Sequence, residues 1–206
     1  MSQWIPADLI LQGNRVDLVP MEEYHFPELI ELANDSRIWQ FYAFDGTDRT
    51  RMHQVLSSGL SEKETGNQFP FVIQHKPTGR LVGSTRFLDI QPLHRKLEIG
   101  STWLIPQYWA SSVNLECKLL LLTYCFEKLK AYRVQLKTDE NNIRSRKAIE
   151  KIGGAFEGIL RNDMIRDNGT KRNSAYYSII DDEWMSKKEL LQKLLVEKRN
   201  LESEKL

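Results

Sequence analysis

The stretch from Asn114 to Leu129 constrains the fold more than any other. Its apolar residues, Leu115, Leu119 to Leu122, Cys125, Phe126 and Leu129, cover so much of a helix surface that the helix must be buried on most of its circumference. An alternating run precedes it at Lys96 to Leu104, and another follows at Tyr132 to Lys137. In the first, the period of two places Leu97, Ile99, Ser101 and Trp103 on one face and Glu98, Gly100 and Thr102 on the other. Strand, helix and strand in succession form a right-handed crossover, which joins parallel strands. The remaining strand-like runs pair differently. Phe69 to His75 and Arg80 to Ile90 meet across Lys76-Pro77-Thr78-Gly79, while Phe156 to Ile165 and Lys171 to Ile180 flank Asp167-Asn168-Gly169, the strongest hairpin signal in the chain. The expected sheet is therefore mostly antiparallel with one parallel pair.

Three helices and a first strand complete the order. The strand runs from Asn14 to Pro20. A helix from Tyr24 to Ala33 carries Phe26, Leu29, Ile30 and Ala33, a more polar one runs from Asp48 to about Glu64, and a short basic one from Asn142 to Ile152 closes at Gly153-Gly154. The order β-α-α-β-β-β-α-β-α-β-β is that of an α+β fold with helices on both faces of a mostly antiparallel central sheet. A chain of 206 residues with 41% hydrophobic residues supplies one core, and residues 14–184 account for it. Residues 185–206 form a separate amphipathic helix with Leu190, Leu191, Leu194, Leu195 and Leu201 on one side, suited to docking or to a homodimer. Its Lys187, Lys188, Lys193, Lys198 and Lys205 read as a solvated face.

Charge and cysteine usage exclude several classes. A formal charge of +1, from 29 Lys and Arg against 28 Asp and Glu, gives no reason to expect nucleic acid or an anionic membrane as partner. Cys117 and Cys125 sit one helix length of about 12 Å apart, too far for a disulfide, and read as small buried hydrophobes of a reduced, cytoplasmic protein. The opening MSQWIPADLILQGNR has neither a signal-peptide pattern nor an apolar run long enough to span a membrane. His25, His53, His75 and His94 are scattered without ligand spacing, so no metal site is expected.

The crevice at the carboxyl ends of two parallel strands, facing the N-terminus of the helix between them, is an anion site. It spans Trp103 to Asn114, and its natural guest is a phosphorylated cofactor. The segment Leu97 to Trp184 resembles the GNAT superfamily of N-acetyltransferases, in the branch resembling the ribosomal-protein N-terminal (alanine/serine) acetyltransferases. The residues that carry the likeness are Leu97-Glu98-Ile99-Gly100-Ser101-Thr102-Trp103-Leu104, the run Val113 to Leu122, Arg133 to Asp139, Asn142-x-x-Ser145-x-x-Ala148-Ile149-Glu150-Lys151-Ile152-Gly153, Gly158 to Arg161, and Tyr176 to Ile180. The resemblance implies acetyl-CoA held in a splayed gap between the crossover strands. Its carbonyl and pantetheine would pair with the backbone of Trp103, Leu104 and Ile105. Its pyrophosphate would rest on N–H groups among Trp109, Ala110, Ser111, Ser112, Val113 and Asn114. Asn142 matches an asparagine that contacts the pantetheine, and it also suits a helix N-cap.

Direct transfer of an acetyl group to an amine needs a base for the amine, a polarising N–H and a proton for the leaving thiolate. By position in the family pattern Glu98 is the candidate base, its plainer reading being a strand-edge glutamate paired with Lys or Arg. Ser145 is the candidate proton donor or pantetheine ligand, its plainer reading a serine bonded within its own helix. The tyrosine that many members carry four residues later is Ile149 here. The phosphate loop also departs from the pattern, with serine at 112 where the first glycine is expected and Ala110 in place of a basic residue. Ser111 and Ser112 hydroxyls, with Arg144 or Arg146, are the compensating groups. Ile38 to Phe44 supplies aromatics either for an acceptor wall or for covering the core, and Tyr176 and Tyr177 read as packing residues. The expected activity is acetyl transfer from acetyl-CoA to a primary amine of a protein N-terminus or small molecule. The alternatives are an acetyltransferase of an aminoglycoside, polyamine or amino acid, and a degenerate GNAT domain retained for binding or assembly.

Overall fold

The computed structural model describes residues 4–204; Met1 to Gln3, and Lys205 at the end of the basic stripe, fall outside the described residues. Eight strands form one sheet: β1 (Leu11–Gln12), β2 (Val16–Pro20), β3 (Phe69–His75), β4 (Arg80–Gln91), β5 (Lys96–Leu104), β6 (Arg133–Asp139), β7 (Ala155–Ile165) and β8 (Lys171–Ile180). Their spatial order is β1-β2-β3-β4-β5-β6-β8-β7. Every neighbouring pair is antiparallel except β5 and β6, the pair joined by the crossover.

The helices are α1 (Phe26–Leu32), α2 (Ser36–Trp39), α3 (Arg49–Glu64), α4 (Ser112–Thr123), α5 (Ile143–Lys151) and α6 (Trp184–Ser203). Side-chain caps start four of them: Asp35 accepts from Arg37 N–H, Asp48 from Thr50 and Arg51 N–H, Ser111 from Val113 N–H, and Asn142 from Ser145 N–H. Beyond Thr123 the apolar helix does not stay α-helical to Leu129. Tyr124–Lys128 forms a π turn, with Leu129 N–H donating to the Tyr124 carbonyl.

Two apolar layers sandwich the sheet. On one face α4, α5 and α6 contribute Val113, Cys117, Leu121, Ile149, Ile152, Trp184 and Leu191, packed on Leu18, Phe71, Ile73, Phe87, Leu97, Ile99 and Val134. On the other, α1 to α3 contribute Leu29, Ile30, Trp39, Met52 and Leu56, packed on Val72, Leu81 and Trp103. Trp103 and Leu97 thus lie on opposite faces, against the simple alternation expected for β5. Across from Thr85 the strand carries an extra residue, since Arg86 pairs with Gly100 while Ser84 pairs with Trp103, and Ser101 takes φ of +46°. This bulge reverses the parity of every later side chain in β5. It turns Thr102 toward α4 and Trp103 toward α2. Gly83 lets the bulged strand lie close, because a Cβ there would meet the Trp103 carbonyl oxygen at 2.0 Å.

The C-terminal helix packs antiparallel on α4 within the same chain. Trp184 Nε1 and Lys188 Nζ donate to Glu127 near one end, and Arg199 Nη2 lies 3.0 Å from Glu116 Oε2 near the other. Of its five leucines, Leu191 and Leu195 are buried, whereas Leu190 and Leu201 are exposed. The stripe is therefore narrower than the sequence suggested, and its core is used internally.

Candidate active site

The parallel pair holds for three residue pairs, Lys96 with Arg133, Leu97 with Val134 and Glu98 with Gln135. Beyond them β5 runs six residues to Leu104 and β6 four to Asp139 without pairing to each other, and that is the splay. Side chains serve the β5 carbonyls there. The Tyr42 hydroxyl donates to the Thr102 carbonyl at 2.6 Å, and Trp109 Nε1 donates to the Leu104 carbonyl at 2.7 Å. Arg144, from the first turn of α5, stacks over Trp109 with its guanidinium carbon 4.0 Å from the ring centroid.

The end of α4 at this gap carries an anion from the chain itself. Ser112 N–H donates to Glu202 Oε1 at 2.6 Å, Ser112 Oγ donates to Glu202 Oε2 at 2.7 Å, and Arg15 Nη1 lies 3.1 Å from the same carboxylate. The Ser111 hydroxyl donates to the Tyr108 carbonyl and accepts from Val113 N–H. Ala110 takes φ of +53°, a conformation glycine adopts with less strain. Asn114 Oδ1 is buried without a partner. Both hydroxyls offered as compensation for the missing glycine are therefore engaged inside the chain. Of the two arginines, Arg144 reaches the gap through Trp109, while Arg146 bonds the Tyr177 hydroxyl and the Glu140 carbonyl. Asn142 and Ser145 form the N-terminal turn of α5, Asn142 Oδ1 accepting from Ser145 N–H at 3.0 Å.

Glu98 closes the paired part of the crossover strands. It is buried, accepts from Gln135 Nε2 at 2.8 Å and lies 3.4 Å from Lys137 Nζ. A Cβ on Gly100 would come within 2.8 Å of Glu98 Oε1, so that glycine makes room for the carboxylate. On the same face Tyr176 donates to Asp163 Oδ1 at 3.0 Å, and Asp163 Oδ2 is buried without a partner. Burial, with Asp163 and Glu98 nearby, pushes the Tyr176 phenol well above its ordinary value, so the group is a proton-bearing donor. Tyr177 faces the opposite layer and packs in the core, its hydroxyl bonded to Arg146 and Glu150.

The segment between α2 and α3 and the β7–β8 hairpin flank this face and are clamped together. Asp167 N–H donates to the Ala43 carbonyl, Arg51 pairs with the Asp167 carboxylate, and Arg172 Nη1 donates to the Phe41 carbonyl. Asp139, buried at the end of β6, holds Arg166 at 2.5 Å and Arg172 at 3.7 Å. The aromatics around Trp39 cover the core, Trp39 packing on Trp103, Tyr42 and Phe44, and the Tyr42 hydroxyl reaches the Thr102 carbonyl at the gap.

Lys118 was missed by the sequence reading. It is the only cation within α4, is buried, and donates to Thr102 Oγ1 at 2.9 Å, which in turn bonds Thr85 Oγ1. Burial pulls its pKa down from 10.5 to about 8. Its place, two residues after Glu116, in a largely apolar helical run was the signal. Among the described residues, no group of three or more His, Cys, Asp or Glu side chains is placed to hold a metal ion, and no helix is long and apolar enough to cross a membrane.

A mixed sheet opened at its one parallel pair, with a helix N-terminus at the opening, defines the fold class of acetyl-group transferases to which solved neighbours belong. A GCN5-related N-acetyltransferase from Brucella melitensis superposes with a TM-score of 0.83 at 26% identity, covering 92% of this chain and 86% of that one. RimL, a ribosomal L7/L12 alpha-N-protein acetyltransferase, matches in fold with a TM-score of 0.74 at 18% identity, over 84% of this chain and 94% of that one. Among sequences, YdaF of Bacillus subtilis (strain 168), named as a ribosomal N-acetyltransferase, is 32% identical over 110 residues, 53% of this chain and 59% of that protein. Spermidine N(1)-acetyltransferase of Escherichia coli (strain K12) is 21% identical over 174 residues, 84% of this chain and 90% of that one. The model of the acetyltransferase (GNAT) domain matches residues 15–155. The chain belongs to the GNAT acetyltransferase family.

Proposed function

We propose that the protein transfers an acetyl group from acetyl-CoA to a primary amine, of a protein N-terminus or a small molecule, by direct attack in a reducing, cytoplasmic setting. The observation that carries this reading is the splay itself, with its unpaired β5 edge leading to a helix N-terminus. Groups of the chain itself stand in for the cofactor. A carboxylate accepts from Ser112 N–H and Oγ where a phosphate would, and an indole N–H and a phenol O–H donate to β5 carbonyls where pantetheine amides would.

When bound, acetyl-CoA supplies an acetyl thioester. The β5 backbone from Trp103 to Ile105 would hold its carbonyl and arm, and the residues Trp109 to Asn114 its phosphates, with Asn142 at the mouth of α5. Glu98 takes the proton of the attacking amine, directly or through water, with Gln135 and Lys137 fixing its carboxylate. Ser145, in the first turn of α5, would be the proton donor to the thiol that leaves.

The test is thiol release from acetyl-CoA, followed against peptides with N-terminal serine or alanine, spermidine, aminoglycosides and free amino acids. Turnover with one class and acetylated product by mass spectrometry is expected. Absence of release with every acceptor, from protein that binds acetyl-CoA, would leave the second reading, a GNAT domain kept for binding. That reading has its own observation, the serine and left-handed alanine in the phosphate loop.

A further inference from the structure

The C-terminal helix has a role that the acetyltransferase reading does not absorb. Its buried leucines need only reach Leu195 to complete the packing on α4, yet it continues two further turns to Ser203. Those turns bring Glu202 onto the first residue of α4. The contact is a complete anion site: a backbone N–H, a hydroxyl and a guanidinium, at 2.6, 2.7 and 3.1 Å from the two carboxylate oxygens. Charge-assisted bonds of this kind, at a helix N-terminus, are the ones that hold a phosphate. A phosphate and the Glu202 carboxylate require the same Ser112 donors, and Ser112 is buried with its N–H and hydroxyl already spent on Glu202.

The two other β5 stand-ins point the same way. Trp109 and Tyr42 donate to Leu104 and Thr102 carbonyls that lie along one edge leading to Ser112. Of the groups that the proposed cofactor would satisfy, the Leu104 carbonyl is thus served by Trp109 and the Ser112 donors by Glu202, while Tyr42 serves the neighbouring Thr102 carbonyl. Only Glu202 sits in the last turn of a helix. Glu202 lies one residue before the last residue of α6, in a turn whose neighbours Leu201 and Ser203 are exposed, so it can withdraw without disturbing the core.

We propose that the last turn of α6 is an intramolecular competitor for the cofactor's phosphates: Glu202 holds the α4 N-terminus in the free protein and must leave Ser112 before acetyl-CoA binds. The inference rests on the acetyltransferase reading and refines it, making the C-terminal segment a determinant of cofactor affinity. The apparent dissociation constant is the intrinsic one divided by the fraction of molecules with Glu202 withdrawn. Whatever holds that segment elsewhere raises the fraction.

The experiment is calorimetric titration of acetyl-CoA into the full chain, into Glu202→Ala, and into Glu204→Ala, a control at a neighbouring exposed carboxylate. Glu202→Ala is expected to bind about tenfold more tightly or better, and Glu204→Ala to match the parent. Equal affinity of the parent and Glu202→Ala overturns the competition while leaving the acetyltransferase reading intact. Equal tightening by both variants overturns it as well, since that is a general charge effect. No binding by any of the three up to millimolar concentration overturns the competition and the cofactor assignment together. Hydrogen exchange gives a readout apart from affinity: acetyl-CoA is expected to speed exchange of the 199–204 amides in the parent, and unchanged protection there with cofactor bound contradicts withdrawal.

Discussion

Replacing Lys118 with methionine is expected to stabilise the protein, and by an amount that depends on pH. The lysine lies inside α4 with one hydrogen bond, to Thr102 Oγ1 at 2.9 Å. Burial brings its pKa from 10.5 to about 8. At about 1.4 kcal/mol per tenfold change in proton affinity, holding the charge inside costs about 3 kcal/mol. Methionine keeps the length of the stem without the charge, and Thr102 Oγ1 retains Thr85 as partner. Below pH 8 both the folded and unfolded lysine are protonated and the cost is present in full. Between pH 8 and 10.5 the folded state gives up its proton first, so the parent gains stability as pH rises; above 10.5 neither state carries the charge. Lys118→Met should therefore exceed the parent by about 2 to 3 kcal/mol at pH 7, an increase in Tm of roughly 4 to 12 °C for a domain of this size, and approach it near pH 10. Urea denaturation of both proteins at pH 7, 8.5 and 10 measures the difference, in which other titrations cancel. A variant less stable than the parent at pH 7, or a difference that does not move with pH, refutes the argument.

Other consequences are simpler. Glu98→Gln should lower kcat by about a hundredfold or more with little change in the KM for acetyl-CoA, and an equal fall in affinity would assign Glu98 to binding instead. Asp139→Asn leaves Arg166 and Arg172 without the buried carboxylate they share; the expected loss is about 3 kcal/mol in chemical denaturation, whereas a loss below 1 kcal/mol would show that the pair is solvated. Burial pushes the Cys117 thiol up to about 12 and Cys125 well above its ordinary value. Neither should react with an aromatic disulfide reagent at pH 8 until urea unfolds the chain, and rapid labelling of the native protein would contradict the packing of α4.

The crossover was legible because its signals are local: an apolar helix between two alternating runs admits few other arrangements. The hairpins at Gly79 and Gly169 and the caps at Asp48 and Asn142 were legible for the same reason. The bulge at Ser101 was not, because nothing in Gly100-Ser101-Thr102 announces that the serine takes positive φ, and the parity error carried Trp103 and Thr102 to the wrong faces. Glu98 as a base and Trp109 to Asn114 as a phosphate loop are expectations drawn from the family pattern; what the structure adds is the neighbours of these residues, Gln135 and Lys137 on Glu98 and Glu202 on Ser112. Contacts between residues far apart in sequence were out of reach. Glu202 lies 90 residues from Ser112 and Tyr42 lies 60 from Thr102, and a glutamate near the end of a charged helix looks like any other until its partner is seen. Lys118 and Glu116 could have been questioned from sequence alone, since they interrupt a helix that has almost no solvated surface to offer them.

Acetyl-CoA, in the proposed reading, lies in the splay between β5 and β6 with its phosphates on the start of α4. The direct measurement is backbone amide NMR of the full chain during an acetyl-CoA titration, repeated with Glu202→Ala. Saturable shifts are expected at Trp103 to Ile105, Trp109 to Asn114 and Asn142, with the same residues moving at lower cofactor concentration in the variant. Shifts confined elsewhere, such as the cleft lined by Trp4, Tyr24, Lys63 and Phe69, or no shifts in either protein, would contradict that reading.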